Sequence, residues 1–291
     1  MLKKTLKNAL RDGDFVITAE VGPPKGTDLS GFVSKARLLA PVVNAINVTD
    51  NQGAVMRMSS LAACASLAVE GMDVVFQATC RDRNRLALQS DLLGASSLGI
   101  GNVLALTGDY ITMGDHPSGK AVFDIDSTHL LQIICGLNAG RDMAGRELLG
   151  NTELFAGAVV NPSSSPLEPQ LLRMEKKIRG GARFFQTQAI YESEGLKRVM
   201  DVAARGDAKV LAGVLLLKSA SMARFMNANI PGVRVPEHYI ERLEKSSDPL
   251  LTGMEIAAAQ IDELRQDCHG IHLMAMGAEE KVLHVIEMSG L

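Results

Sequence analysis

The chain has no tryptophan, and only three tyrosines and eight phenylalanines in 291 residues. So thin a supply of flat side chains excludes a base-stacking platform for single-stranded nucleic acid. Charge of one sign is also lacking. Thirty Lys and Arg against 33 Asp and Glu leave a formal charge of −3, which excludes a polybasic surface for nucleic acid or an acidic membrane. The four cysteines, Cys64, Cys80, Cys135 and Cys268, form no CxxC pair. Neither a metal site nor a disulfide framework is expected from them, and they read as reduced thiols. No apolar run is long enough to cross a bilayer. The start, Met1 to Lys7, carries basic residues without a following apolar segment of signal type. It reads as a short amphipathic helix, and the expected location is the cytoplasm.

What is present is a chain 46% hydrophobic, in which apolar runs without polar alternation recur. They lie at 15–21, 42–48, 73–79, 102–106, 154–160, 181–188, 207–217 and 270–276. Such runs read as parallel strands buried on both faces. Between them the apolar spacing turns helical: 29–39 behind Asp28 as a cap, 57–70, 84–98, and a segment to 137 capped by Asp126 or Ser127. Further helices carry Arg173, Lys176 and Lys177, run from Ser219 through Phe225, start near 237 and 252, and close the chain at 279–288. About eight strands alternating with helices, with no interrupting linker, predict an α/β fold. It is a (β/α)8 barrel occupying 1–291 as one domain with a short N-terminal helix.

A parallel barrel places its chemistry at the carboxyl ends of its strands. Glu20, Thr49, Gln77, Asp109, Asn161 and Gln188 all fall there, so they are expected to converge on one face. Two readings stand for Glu20. It is a strand-end carboxylate in an ion pair, or a proton donor whose pKa burial raises. The run 102–106 breaks off in Thr107-Gly108-Asp109, which is either a plain turn or a close backbone approach to a ligand. The long loop 110–126 has the length of a functional one. The serine-rich 161–166 feeds a basic helix, and its cations either hold phosphate or form a solvated face. Gln186 and Gln188 share a face by alternation. His272 reads as a core histidine.

Three stretches carry a family resemblance: Ala19-Glu20-Val21-Gly22-Pro23-Pro24, Leu104-Ala105-Leu106-Thr107-Gly108-Asp109, and Gly181 to Gln188. Their order and spacing resemble the methylenetetrahydrofolate reductase family along nearly the whole chain. The resemblance implies a flavin-bearing barrel that reduces 5,10-methylenetetrahydrofolate to 5-methyltetrahydrofolate. By position, Glu20 matches the family's general acid and Asp109 the carboxylate between pterin and flavin. Gln188 matches the amide that holds the folate, and Phe225 an aromatic packed on the substrate. Thr49, Gln77, Thr107, Gly108, Asp109, Phe123, Asn161, Gln170, Arg173 and Lys177 fall where the family contacts its flavin, which the resemblance gives as FAD, with FMN the alternative. The chain departs from better-known members at Thr107 (Arg there), Gln77 (His), Phe123 (Tyr) and Gln170 (Asp). An Arg for the distal folate is missing near Met276-Gly277-Ala278-Glu279. The compact length and the 123–127 loop look more like anaerobic one-carbon members. That implies electrons from an iron–sulfur partner subunit, with NAD(P)H the other source, and leaves homo- and hetero-oligomers open. The competing class is a non-catalytic flavin-binding electron-transfer or scaffold subunit, and a flavin-free pterin methyltransferase is a third.

Overall fold

The computed structural model describes residues 3–230 and 232–291. Eight parallel strands close into a barrel in sequence order, β1 pairing with β8. They are β1 (Val16–Val21), β2 (Ala45–Val48), β3 (Val74–Thr79), β4 (Asn102–Leu106), β5 (Phe155–Val160), β6 (Phe184–Ala189), β7 (Lys209–Leu215) and β8 (Gly270–Met274). The helices are α1 (Leu6–Asp12), α2 (Ser30–Leu39), α3 (Ser60–Ala68), α4 (Arg85–Ser97), α5 (Ser127–Asn138), α6 (Glu168–Arg179), α7 (Ser193–Arg205), α8 (Ala220–Asn229), α9 (Glu237–Glu244), α10 (Pro249–Leu264) and α11 (Val282–Met288). This is the predicted (β/α)8 architecture.

Several boundaries move for local reasons. β2 starts at Ala45, not 42, because the Val42 and Val43 N–H groups serve the last turn of α2, both donating to Leu39 O. β6 starts at Phe184 because Gly181 (φ +111°) and Ala182, whose N–H reaches Lys177 O, still belong to the end of α6. β7 starts after Asp207, a turn residue at φ +50°. Asp28 lies one residue before the cap position of α2, yet its carboxylate takes the Ser30 N–H. Ser59 caps α3 and Asp248 caps α10, so both helices begin away from the expected 57 and 252. α7 goes unnamed in the sequence reading, although Leu196, Val199, Val202 and Ala203 give it a buried helical stripe. The first helix starts at Leu6. Met1 and Leu2 of the expected 1–7 helix lie outside the described residues, as does Pro231 of the loop before α9. Among the described residues no helix is long and apolar enough to cross a membrane.

Two apolar layers hold the barrel. The outer one packs strand side chains against the surrounding helices. The inner one closes the amino-terminal end of the barrel, where Leu6 and Leu10 of α1 cover Val16, Val75, Leu104 and Phe184. Burying each leucine contributes roughly 1.5–3 kcal/mol. Phe184 fills the axis because Gly157 opposite it has no side chain; a Cβ there would lie 2.2 Å from the ring. The plug is latched by Asp73, whose Oδ2 accepts the Leu6 N–H at 2.7 Å and whose Oδ1 accepts from Asn102 Nδ2 at 2.8 Å. The interior is therefore sealed below and open above.

Burial raises the Asp73 pKa from its ordinary 3.8 to about 6, against the pull of its two hydrogen bonds. Its folded-state pKa is above the unfolded one, so its contribution to stability is full below pH 4 and lost as pH rises through 6. Urea unfolding should show wild type losing stability relative to Asp73→Asn between pH 4 and 7, on the order of 1–3 kcal/mol. Gly108 sits at φ +101°, and a Cβ on it would lie 2.4 Å from Thr79 Cγ2 and 2.9 Å from Arg81 Cβ. Gly108→Ala should cost more than about 1 kcal/mol in the same assay.

Candidate functional site

Strand alternation turns Thr18 and Glu20 of β1, Gln186 and Gln188 of β6, and His272 of β8 toward the axis. Above the apolar plug they form a polar layer. Gln186 and Asn47 exchange two amide hydrogen bonds, at 2.8 and 3.1 Å. Gln186 Nε2 also approaches Thr18 Oγ1 at 3.5 Å, and Thr18 Oγ1 lies 3.0 Å from His272 Nδ1. These four side chains are nearly solvent-free, and each finds partners, as buried polar groups must. The Thr18 hydroxyl has Ile271 O at 3.5 Å to receive its hydrogen. His272 thus presents Nδ1 to Thr18 and Nε2 toward Glu20.

Nε2 faces Glu20 Oε2 at 3.8 Å, and the Glu20 side chain keeps 13% exposure. Its other oxygen accepts from Gln52 Nε2 at 3.0 Å. No Lys or Arg pairs with Glu20 among the described residues; the ion-pair partner in reach is His272. His272 is buried, as a core histidine should be, but its ring also lines the cavity beside this carboxylate.

The cavity, about 310 Å³, lies over this layer. Leu104, Leu106, Val159 and Met274 give it apolar wall. Of the residues expected at the site, it brings together Glu20, Gln77, Thr107, Gly108, Asp109, Lys177 and Gln188. Asp109 is exposed, and its Oδ2 accepts the Gly53 N–H at 3.1 Å. Thr107 donates through Oγ1 to Ser127 Oγ at 3.1 Å. Lys177 is drawn inward: its Nζ donates to Val159 O at 2.8 Å. Burial, aided by nearby Arg173, lowers its pKa to about 8.

The other expected residues lie outside the cavity wall. Thr49 is buried just past β2, and its hydroxyl has no partner. Asn161 accepts the Ser163 N–H at 3.0 Å and packs on Gly232. Phe123, at φ +40°, is about one-third exposed in the β4–α5 loop beside the Asp124–Arg85 ion pair. Gln170 and Arg173 ride on α6, and Phe225 is exposed on α8. All are on loops and helices rather than on the strands that converge. The cavity also contains groups not among the expected site residues: Asp50, Gln52, Arg81 and Thr187. Arg81 carried a signal, being a charge two residues past a strand's carboxyl end.

The family model described as "Methylenetetrahydrofolate reductase" matches residues 5–290. The chain is 24% identical over 232 residues to "Methylenetetrahydrofolate reductase 2" of Schizosaccharomyces pombe, covering 73% of this chain and 35% of that protein. It is 26% identical over 246 residues to "Probable methylenetetrahydrofolate reductase (NADPH)" of Caenorhabditis elegans, covering 80% and 34%. The chain thus spans about a third of the length of the curated relatives it matches. A solved structure of oxaloacetate acetylhydrolase with the inhibitor 3,3-difluorooxalacetate is similar at a TM-score of 0.57 and 10% identity, covering 97% of this chain and 82% of that one. That likeness is one of fold alone. The family match runs through all eight strands and the residues that line the cavity, and the chain belongs to the methylenetetrahydrofolate reductase family.

Proposed function

We propose that the chain reduces 5,10-methylenetetrahydrofolate to 5-methyltetrahydrofolate with the help of a bound flavin, FAD rather than FMN, in the cytoplasm. The observation that carries the reading is the meeting of Glu20, Asp109 and Gln188 around one cavity, with no Lys or Arg neutralising Glu20. The surroundings fit a flavin. The wall is partly apolar, the Lys177 amine on it is partly desolvated, and just outside it the Thr49 hydroxyl is buried without a partner. Thr49, Gln77, Thr107, Gly108, Asp109, Phe123, Asn161, Gln170, Arg173 and Lys177 would hold it. A bound flavin supplies hydride from its N5 to the one-carbon unit.

The protein's own groups manage the charge. Glu20 delivers a proton to the amine nitrogen that leaves as the methylene bridge opens. His272 Nε2 stands 3.8 Å from one Glu20 oxygen, and the Gln52 Nε2–H serves the other. The Asp109 carboxylate favours the iminium cation that the opening creates. Gln188 offers an amide donor and acceptor to the pterin edge, and Phe225 packs on the bound folate from α8. Re-reduction falls to a partner subunit carrying iron–sulfur clusters; rapid reduction by NADH or NADPH alone would replace that assignment.

The purified protein should show a flavin absorbance band that bleaches when methyltetrahydrofolate is added without air, since the reverse reaction returns hydride. A band that persists would favour the scaffold reading, and a colourless but active protein the methyltransferase. Glu20→Gln should lower folate turnover by about 10²-fold or more while flavin reduction by the electron donor stays near wild type; unchanged folate turnover would remove Glu20 from the acid role. Lys177 is a full cation only below its pKa of about 8. Affinity for an anionic cofactor group should therefore weaken between pH 7 and 9 in wild type, and Lys177→Met should bind more weakly without that pH trend, as read by flavin fluorescence titration.

A further inference from the structure

Arg81 heads the large side chains that are fully buried, at 2% exposure, and it sits just past the end of β3. Its Nε and Nη2 each donate to the Asp82 carboxylate at 2.7 Å. Nη2 also reaches Asn51 O at 3.1 Å, and Nη1 reaches Asp109 O at 3.4 Å. Its own carbonyl accepts the Val122 N–H at 2.7 Å. One residue thus fastens the loop after β2 and the loop after β4. Gly108 makes room for it, since a Cβ there would meet Arg81 Cβ.

The fastened segment carries the contacts to both carboxylates. Asn51 is followed by Gln52, whose amide serves Glu20, and by Gly53, whose N–H serves Asp109. Asn51, Gly53 and Ala54 all have positive φ, at 45°, 63° and 59°. Such backbone at two non-glycine residues persists only where surrounding bonds over-determine it. Those bonds are Arg81 on Asn51 O, Asn51 Oδ1 accepting the Arg57 N–H at 2.9 Å, and Asn51 Nδ2 on Asp82 at 3.3 Å.

We propose that Arg81 is a positioning residue for the reaction, holding the Asn51–Ala54 turn and the Asp109 backbone in one frame so that Glu20 and Asp109 stand at a fixed separation across the cavity. The proposal rests on the reading of those two carboxylates as the reacting pair. It explains why an arginine is needed. A planar guanidinium serves Asp82 and two main-chain oxygens at once, whereas a single ammonium cannot span them.

The test uses Arg81→Lys, and Arg81→Met with Asp82→Asn so that no carboxylate is stranded. Hydrogen exchange on the full chain should show lost protection at the Gly53 amide and across 51–55, with the barrel strands unchanged. Folate turnover should fall about 10- to 100-fold while KM moves less than about threefold, the pattern of misplaced reacting groups. Lysine should not rescue. In a Gln52→Ala background, Arg81→Lys should cost distinctly less than in wild type, because part of its path is already cut. Full turnover and protection in Arg81→Lys, or strictly additive losses with Gln52→Ala, would overturn the proposal. If wild type never reacts with the folate yet the variants loosen both loops, the reductase reading falls and the clamp stands. If wild type reacts and the variants keep their protection, the clamp alone falls.

Discussion

Closing eight parallel strands into a barrel points every second side chain at a shared axis, and that volume must be filled. This chain fills it in two ways. Below, Phe184, Leu104 and Val75 with the α1 leucines form a dry plug. Above, Thr18, Asn47, Gln186 and His272 fill the next layer with polar groups that satisfy one another. The plug makes the polar layer affordable to build, because it removes one route for water. The polar layer in turn gives the cavity a floor with fixed donors and acceptors.

That arrangement explains how two carboxylates stand near one cavity without cations spent on their side chains. Glu20 and Asp109 are held by an amide N–H and a backbone N–H. Nearby cations are committed elsewhere: Arg83 to Asp50 and Asp91, and Arg81 to Asp82 and main-chain oxygens. Lys177 is directed to a carbonyl. The donors on both carboxylates are thus neutral, and the Arg81 guanidinium meets the Asp109 main-chain oxygen.

Reading the chain in one dimension recovers what depends on period and on strand ends. The eight apolar runs and their carboxyl-terminal polar residues needed no coordinates, and Glu20, Gln77, Asp109 and Gln188 were visible as polar exceptions at the ends of buried strands. Thr18 and Asn47 were legible in principle, two residues before Glu20 and Thr49, where alternation returns to the same face. Arg81 was harder. Its partners are main-chain oxygens of two loops 30 residues upstream and 28 downstream, and no local pattern announces such a bond.

The sequence by itself determined the fold class, the family and the strand ends at which the polar residues collect, because hydrophobic period and motif order are properties of the chain. Only the tertiary structure decided which of those residues meet. It brought Lys177 to the cavity wall and left Phe225 exposed on α8, turned a core histidine toward Glu20, and set a buried arginine between two loops. The physical reason is that burial and hydrogen-bond partnership are settled by closure of the barrel. Closure joins β8 to β1 across the whole length of the chain, and nothing in the neighbouring residues encodes that contact.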